Sequence, residues 1–260
     1  MRRAGLVVAD ALDAVRAALR PGLTTADLDA IAERVIRGAG ATPSFLGYVD
    51  YPATLCVSLN DEVVHGIPAE RVLLPGDVVS VDCGAIVDGW HGDSAFTAVL
   101  DPADPADAEL VAATEAAMWA GIAALAGAAR TSAVGAAVED AVAGRFGIVE
   151  DYVGHGIGTA MHLPPDVPNY RTRDRGAAVR PGLAIAVEPM LVRGDQANHE
   201  LADGWTVVTD DGSRAAHFEH TVAVTDDGVW VLTARDGGTE RLGSRSAAGP
   251  ARRWPRDRPA

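Results

Sequence analysis

Lysine is absent from this chain of 260 residues, so all 22 residues counted as Lys plus Arg are arginine. This absence excludes the phosphate-binding lysine of P-loop enzymes and Schiff-base chemistry. Cys56 and Cys83 are too few for a disulfide framework and lack C-x-x-C spacing, which fits free thiols in a reducing compartment. No uninterrupted apolar run approaches the ~18 residues of a membrane helix, and no signal-peptide cleavage pattern follows Met1. We therefore expect a cytoplasmic protein without membrane association.

The composition, 48% hydrophobic and 22% charged, is that of a globular protein. The net charge of −14 is unevenly distributed, because the stretch from Asp236 to the end has six arginines and three acidic residues. The rest of the chain is therefore strongly acidic and is expected to have no specific nucleic-acid partner. Residues 236–260, rich in Gly, Ser, Pro and Arg, are predicted to be a disordered tail after a single domain at 1–235.

An internal repeat divides this domain into halves of about 1–105 and 106–235. Thr24-Thr25-Ala26 recurs as Thr131-Ser132-Ala133, 107 residues later, and each copy opens a stretch with helical periodicity. Farther along, Pro75-Gly76 begins an apolar run that ends at Asp82, and Pro181-Gly182 begins a similar run that ends at Glu188, 106 residues later. The two nearly equal offsets predict a duplicated helix-then-strand unit, with Asp82 and Glu188 at equivalent positions.

The local patterns predict four helices and seven strands, an α+β chain with long antiparallel hairpins. The predicted helices are Leu6–Leu19, a helix from Thr24 or Thr25 to near Gly38 or Gly40, Asp107–Ala128, and a helix from Thr131 or Ser132 to near Gly144. The predicted strands are Thr54–Leu59, Val78–Val87, Trp90–Leu100, Leu183–Val192, Trp205–Thr209, Ala216–Thr225 and Val229–Thr233.

Two carboxylates flank a strong hairpin signal. Asp88-Gly89 is typical of a two-residue hairpin turn, and the register that it sets pairs Gly84 with Asp93. Asp82 is then a diagonal neighbour of Asp93 on one face, roughly 7–8 Å away. Unpaired buried charge costs several kcal/mol, so bound cations are the favoured explanation, and two solvated aspartates at a sheet edge are the alternative.

The second half offers further oxygen and nitrogen ligands. Glu188 ends an apolar run, Glu219 lies in an alternating strand, and His155 stands among glycines that let an ion or a substrate approach closely. Alone, His155 reads equally well as a hydrogen-bonded core histidine. Together with Asp82 and Asp93 these residues form an oxygen-rich set that suits two divalent ions such as Co, Mn, Fe or Zn.

Five ordered motifs between Met1 and Thr233 resemble those of bacterial-type (type I) methionine aminopeptidases, metallopeptidases with the pita-bread fold. They are the runs Asn60–Pro68, Asp82–Asp93, Gly154–Gly158 followed by His162, Val187–Met190 and Phe218–Thr221. The resemblance implies two pseudo-twofold-related halves around a central metal site. It also implies that Asp82 chelates one metal ion, that Asp93 and Glu219 bridge two, and that His155 and Glu188 complete the second site.

The resemblance also implies a chemistry, in which a hydroxide bridging two divalent metal ions attacks the first peptide bond of peptides and nascent chains that begin with methionine. Glu188 would transfer the proton, His162 would stabilise the tetrahedral intermediate, and His65 would contact the scissile amide. The expected side-chain pocket comprises Tyr48, Tyr51, Cys56 and Trp205, with Phe45 and Met161 at pocket-like positions. Val49-Asp50 and Leu163-Pro164 depart from the usual family pattern, which bears on the substrate range.

Two alternatives remain open within the same fold. One is a proline-specific aminopeptidase or dipeptidase, although such enzymes typically carry an additional N-terminal domain. The other is a metal-free binding protein, which the presence of all five ligand types disfavours. We expect a monomer that works close to the ribosome.

Overall fold

The computed structural model describes residues 1–247. The four long helices correspond to the four predicted ones, and a short fifth helix follows the last strand. Their bounds are Arg2–Ala18 (α1), Thr25–Gly38 (α2), Pro105–Leu125 (α3), Ser132–Val142 (α4) and Thr239–Leu242 (α5). Residues Thr24 and Asp27 cap α2 reciprocally: Asp27 N donates to Thr24 Oγ1 (3.1 Å) and Thr24 N donates to Asp27 Oδ2 (2.8 Å).

Fifteen strands form one nine-stranded antiparallel sheet and two three-stranded sheets. In chain order they are Thr42–Pro43 (β1), Leu55–Leu59 (β2), Glu62–Val64 (β3), Val78–Val87 (β4), Trp90–Val99 (β5), Gly147–Ile148 (β6), Gly154–Gly156 (β7), Leu163–Val167 (β8), Ala184–Val187 (β9), Met190–Val192 (β10), Asn198–Glu200 (β11), Val207–Thr209 (β12), Ala215–His217 (β13), Glu219–Thr225 (β14) and Gly228–Val231 (β15).

The large sheet has the order β1-β4-β5-β14-β9-β7-β8, with β2 added to β4 and β15 added to β14. Helices α1 and α2 pack on strands of the first half, whereas α3 and α4 pack on each other and α3 also contacts strands of the second half. The two halves meet at β5 and β14, in the middle of this sheet. This arrangement agrees with the predicted α+β class and with two equivalent halves.

The predicted hairpin register is confirmed. Asp88 and Gly89 both have positive φ (51° and 76°), as a two-residue turn of this kind requires, and Gly84 pairs with Asp93. A single predicted strand from Leu183 to Val192 is instead two strands, β9 and β10, interrupted at Glu188-Pro189. Proline has no N–H to offer a strand neighbour, so the ladder stops there.

Helix α3 is long and apolar enough to cross a membrane by length and composition, a test that core helices of soluble proteins also pass. The expectation from the sequence concerned uninterrupted apolar runs, whereas α3 meets this test by its mean hydropathy. The helix packs as a core element, with Leu110, Met118 and Ile122 buried. Its buried Asp107 is ion-paired with Arg193 at 2.8 Å.

The predicted disorder does not describe the beginning of the tail. Residues 236–247 include α5 and pair with the last strand, where Ala247 N donates to Val229 O at 2.7 Å. Leu242, 7% exposed, packs in the main core, which explains why this stretch is ordered despite its polar composition. The rest of the predicted tail lies outside the described residues.

Candidate metal centre

Four carboxylates lie on one face of the large sheet because of its register. Asp82 of β4 and Glu219 of β14 are both paired with Ala95 of β5, one from each side. Residues that pair directly point to the same face, and Asp93 joins them two residues before Ala95. On the other flank, His220 pairs with Val187. The next residue of the antiparallel chain, Glu188, therefore extends the row.

The side chains converge as this register demands. The ligand atoms of Asp93, His155 and Glu219 all lie within 4.8 Å of one another. His155 Nε2 is 3.3 Å from Glu188 Oε1, and its Nδ1 is 3.0 Å from Gly156 O, which orients the ring. Burial raises the pKa of Asp82, and Asp93 lies close enough for its charge to raise this pKa further. All five predicted ligand residues are thus neighbours.

Burial makes this cluster electrostatically costly. It raises the pKa of Asp82, Glu188 and Glu219 well above the ordinary range, and the charge of Asp93 raises them further. Burial also raises the pKa of Asp93 to about 7 and lowers that of His155 to about 4. Without a compensating cation, the folded chain therefore favours protonated carboxyls and a neutral imidazole.

The residues fit divalent cations. Within the described chain, one oxygen of each carboxylate is buried without a hydrogen-bond partner: Asp82 Oδ1, Asp93 Oδ1, Glu188 Oε1 and Glu219 Oε1. Buried polar atoms are normally satisfied, so four orphaned acceptors beside a neutral imidazole indicate that a ligand belongs there. Carboxylate oxygens with one imidazole nitrogen form a donor set that Mn, Fe, Co and Zn accept.

A cavity of about 170 Å³ opens onto the carboxylates. All eleven site residues predicted from the sequence line it, and so do Phe45 and Met161. Sequence reasoning missed Val64, Tyr152, Val153 and Met190, and His217 lines the cavity as well. Val153 and Met190 are two residues from His155 and Glu188, so strand alternation could have identified them.

Tyr51, Cys56 and Trp205 form the apolar wall, with the rings of Tyr51 and Trp205 edge to face at 4.9 Å. Burial raises the pKa of the Cys56 thiol, which keeps it protonated and apolar in character. Neither Val49-Asp50 nor Leu163-Pro164 lines the cavity. Val49 is 71% exposed and has φ 48°, a strained conformation for a β-branched residue.

Two histidines lie against the cluster from opposite loops. The ring of His162 is 4.3 Å from that of His155, and its Nδ1 is 2.7 Å from the Tyr48 hydroxyl. His65 has φ 61° and stacks edge to face on Tyr152 at 5.5 Å. Burial lowers the pKa of His65 to about 4, so this imidazole is neutral at physiological pH.

Comparison with known proteins identifies the family. Residues 1–226 match metallopeptidase family M24. The chain belongs to this family. Among M24 proteins, it is 53% identical over 241 residues to methionine aminopeptidase 1 of Mycobacterium tuberculosis, covering 90% of this chain and 91% of that one. The resemblance found in the sequence motifs is confirmed.

Solved structures of M24 proteins agree. The crystal structure of methionine aminopeptidase from Thermotoga maritima matches with a TM-score of 0.88 and 40% identity, covering 90% of this chain and 95% of that one. Prolidase from Pyrococcus furiosus matches with a TM-score of 0.70 but only 19% identity, covering 90% of this chain and 62% of that one. The similarity to prolidase shows only that the two proteins share a fold.

Proposed function

We propose that this chain is a methionine aminopeptidase of the cytoplasm, acting as a monomer close to the ribosome on peptides and nascent chains with a free N-terminal methionine. Residues 1–235 form its catalytic unit. The observation that carries the proposal is the row of four buried carboxylates and His155 at the floor of an apolar cavity, in a chain 53% identical to a protein of that name.

Two divalent ions, drawn from Co, Mn, Fe or Zn, fit the five ligands. Asp82 would hold one ion and Asp93 and Glu219 would share both, while His155 and Glu188 complete the second site. When bound, such ions supply a nucleophile at neutral pH and polarise the carbonyl of the first peptide bond. The orphaned oxygens of these side chains support the assignment.

The residues around the ligands would handle protons and charge. Glu188 would transfer the proton, and burial raises the pKa of its carboxyl well above the ordinary range. In the tautomer in which the Tyr48 hydroxyl donates to His162 Nδ1, the Nε2 of His162 carries the proton and would donate to charge that develops on the peptide oxygen. His65, held beside Tyr152, would contact the scissile amide.

The cavity wall accounts for the side-chain preference. Tyr51, Cys56, Trp205 and Met161 provide an apolar, polarisable surface of the kind that a thioether side chain prefers. The cavity volume of about 170 Å³ is in keeping with a site for one side chain. The resemblance to methionine aminopeptidases further implies methionine followed by a small residue such as Gly, Ala or Ser.

Chelated protein should be reconstituted with each metal separately and assayed for amino-acid release from Met-Ala-Ser, Met-Gly and Xaa-Pro peptides. Rapid methionine release from the first two supports the proposal. Faster cleavage of Xaa-Pro would transfer the chain to the proline-specific branch of the family. Metal binding without cleavage of any peptide would instead favour a binding protein on the same fold.

A further inference from the structure

The seam between the two halves of the molecule, where β5 meets β13 and β14, has little backbone pairing. Only Ala95 with Glu219 and Ser94 with His220 are paired between β5 and β14. At Thr221, β14 exchanges its β5 neighbour for β15. The Thr221 carbonyl accepts from Leu232 N at 2.8 Å, and its N–H donates to Thr233 Oγ1 at 3.2 Å. The backbone N–H and carbonyl of Thr221 therefore bond to Thr233 and Leu232 and do not pair with β5.

Side-chain hydroxyls take over the connection across this seam. Thr221 Oγ1 accepts from Asp93 N at 2.9 Å and donates to Asp93 O at 2.7 Å, so a single hydroxyl replaces both bonds of a strand pair. Thr97 Oγ1 does the same for His217, accepting from its N–H at 2.9 Å and donating to its carbonyl at 2.7 Å.

A third hydroxyl completes the seam, as Ser94 Oγ donates to Glu219 O at 2.6 Å. The three hydroxyl residues are at most 2% exposed, so water does not compete for these bonds. Two of the anchored backbones, those of Asp93 and Glu219, belong to carboxylates of the cluster, and they come from opposite halves. A shift of one strand against the other would therefore displace one carboxylate relative to the other.

We propose that Thr221, supported by Thr97 and Ser94, is a positioning residue that sets the spacing between Asp93 and Glu219 and thereby the affinity of the centre for divalent ions. This inference rests on the proposed metal site. The buried hydroxyl is held by both the N–H and the carbonyl of Asp93, so it fixes the distance between the two strands. Metal centres tolerate ligand displacements of only a few tenths of an ångström, and loss of a supporting hydrogen bond typically weakens affinity about 10- to 100-fold.

The test compares Thr221→Val, which keeps the shape and removes the hydroxyl, with Thr221→Ser, which keeps the hydroxyl. The matched control is Thr114→Val, because Thr114 is fully buried and its hydroxyl donates to Leu110 O within α3, a bond that does not cross the seam. Chelated proteins are titrated with Mn²⁺ by calorimetry, and thermal melts without metal record their stability. We expect Mn²⁺ binding to weaken about 10- to 100-fold in Thr221→Val, and to be nearly unchanged in Thr221→Ser and Thr114→Val.

Wild-type Mn²⁺ affinity in Thr221→Val, even with a lower Tm, would overturn the inference, and so would an equal loss in Thr114→Val. If Thr221→Val does not fold, Thr97→Val and Ser94→Ala test the same seam, and unchanged affinity in both is again a refutation. Because binding is read without peptide, the result is separable from the proposed activity. A wild-type chain that binds Mn²⁺ but releases no methionine would contradict that activity alone.

Discussion

Removal of metal should leave wild-type protein less stable than the variant Asp93→Asn. Asp93 is buried beside three other carboxylates, with one oxygen lacking any hydrogen-bond partner in the described chain. Asparagine has nearly the same shape but carries no charge, and its amide can donate to Asp82. The variant therefore removes the electrostatic cost of the metal-free cluster, and it also removes one of the proposed shared metal ligands.

The pKa of Asp93 sets the size of this effect. Burial raises it from 3.8 to about 7, and each unit corresponds to about 1.4 kcal/mol, which gives a penalty of about 4 kcal/mol for the ionised group above pH 7. Burial of the asparagine amide costs about 1–2 kcal/mol, which reduces the gain in stability of the variant. The net gain is about 2–3 kcal/mol, or roughly 4–12 °C in Tm for a chain of this size.

The sign of the pH dependence follows from the same shift. Because the pKa is higher in the folded than in the unfolded state, the folded state holds the proton longer. The penalty is absent below about pH 4, grows as the pH rises towards 7, and is complete above pH 7. Burial lowers the pKa of His155 to about 4. Such buried histidines reduce the stability of the fold as the pH falls below 6.5. They are common to both proteins, so they largely cancel in the comparison.

Thermal unfolding with a chelator at pH 5 and pH 8 measures the difference. We expect Asp93→Asn to melt higher than wild type at pH 8, with a smaller advantage at pH 5. Mn²⁺ at about 1,000 times its Kd for wild type should reverse the order, since it stabilises wild type by about 4.1 kcal/mol, more than the advantage of the variant. A variant less stable than wild type at pH 8 without metal, or a difference that does not vary with pH, would refute the reasoning.

Three further outcomes are expected. Glu219→Ala should abolish methionine release from Met-Ala-Ser in metal-reconstituted protein, because in the proposed two-ion site it removes a shared ligand, and a near-normal rate would contradict that proposal. Gly156→Ala should lower the free energy of unfolding in urea by at least about 1–3 kcal/mol, since its Cβ would lie 2.2 Å from Pro164 O; an unchanged midpoint would show that β7 can move freely. Truncation after Arg235 should lower Tm more than truncation after Ala247, because only the first removes buried Leu242; equal melts would show that α5 adds nothing.

Features decided by neighbouring residues could be predicted from the sequence. The Asp88-Gly89 turn fixed the register of β4 and β5, and with it the position of Asp93, because the left-handed conformation that it needs is a local preference. The Thr24 cap of α2 is equally local. The proline at position 189 was itself a signal for the break between β9 and β10, but the apolar residues on both sides of it suggested one continuous strand.

Features that depend on distant partners could not be predicted. Strand β7 has three residues, two of them glycine, and it becomes a strand only because β8 and β9 flank it. The exchange of partners at Thr221 depends on where β15 returns in the sheet, which no local pattern of β14 contains. Likewise, the composition after Asp236 indicated disorder, but one leucine packed in the core is enough to order α5.

The duplicated architecture explains why the carboxylates gather where they do. Each half contributes a pair of antiparallel strands, β4 with β5 and β9 with β14, and the sheet order β4-β5-β14-β9 joins the pairs through their inner members. Asp82 lies in the outer strand β4 and Glu188 directly follows the outer strand β9, at equivalent positions of the two repeats, whereas Asp93 and Glu219 belong to the inner strands. Neither half alone holds more than two of the four carboxylates. The site therefore exists only at the seam, and the hydroxyl of Thr221 acts on the contact that creates it.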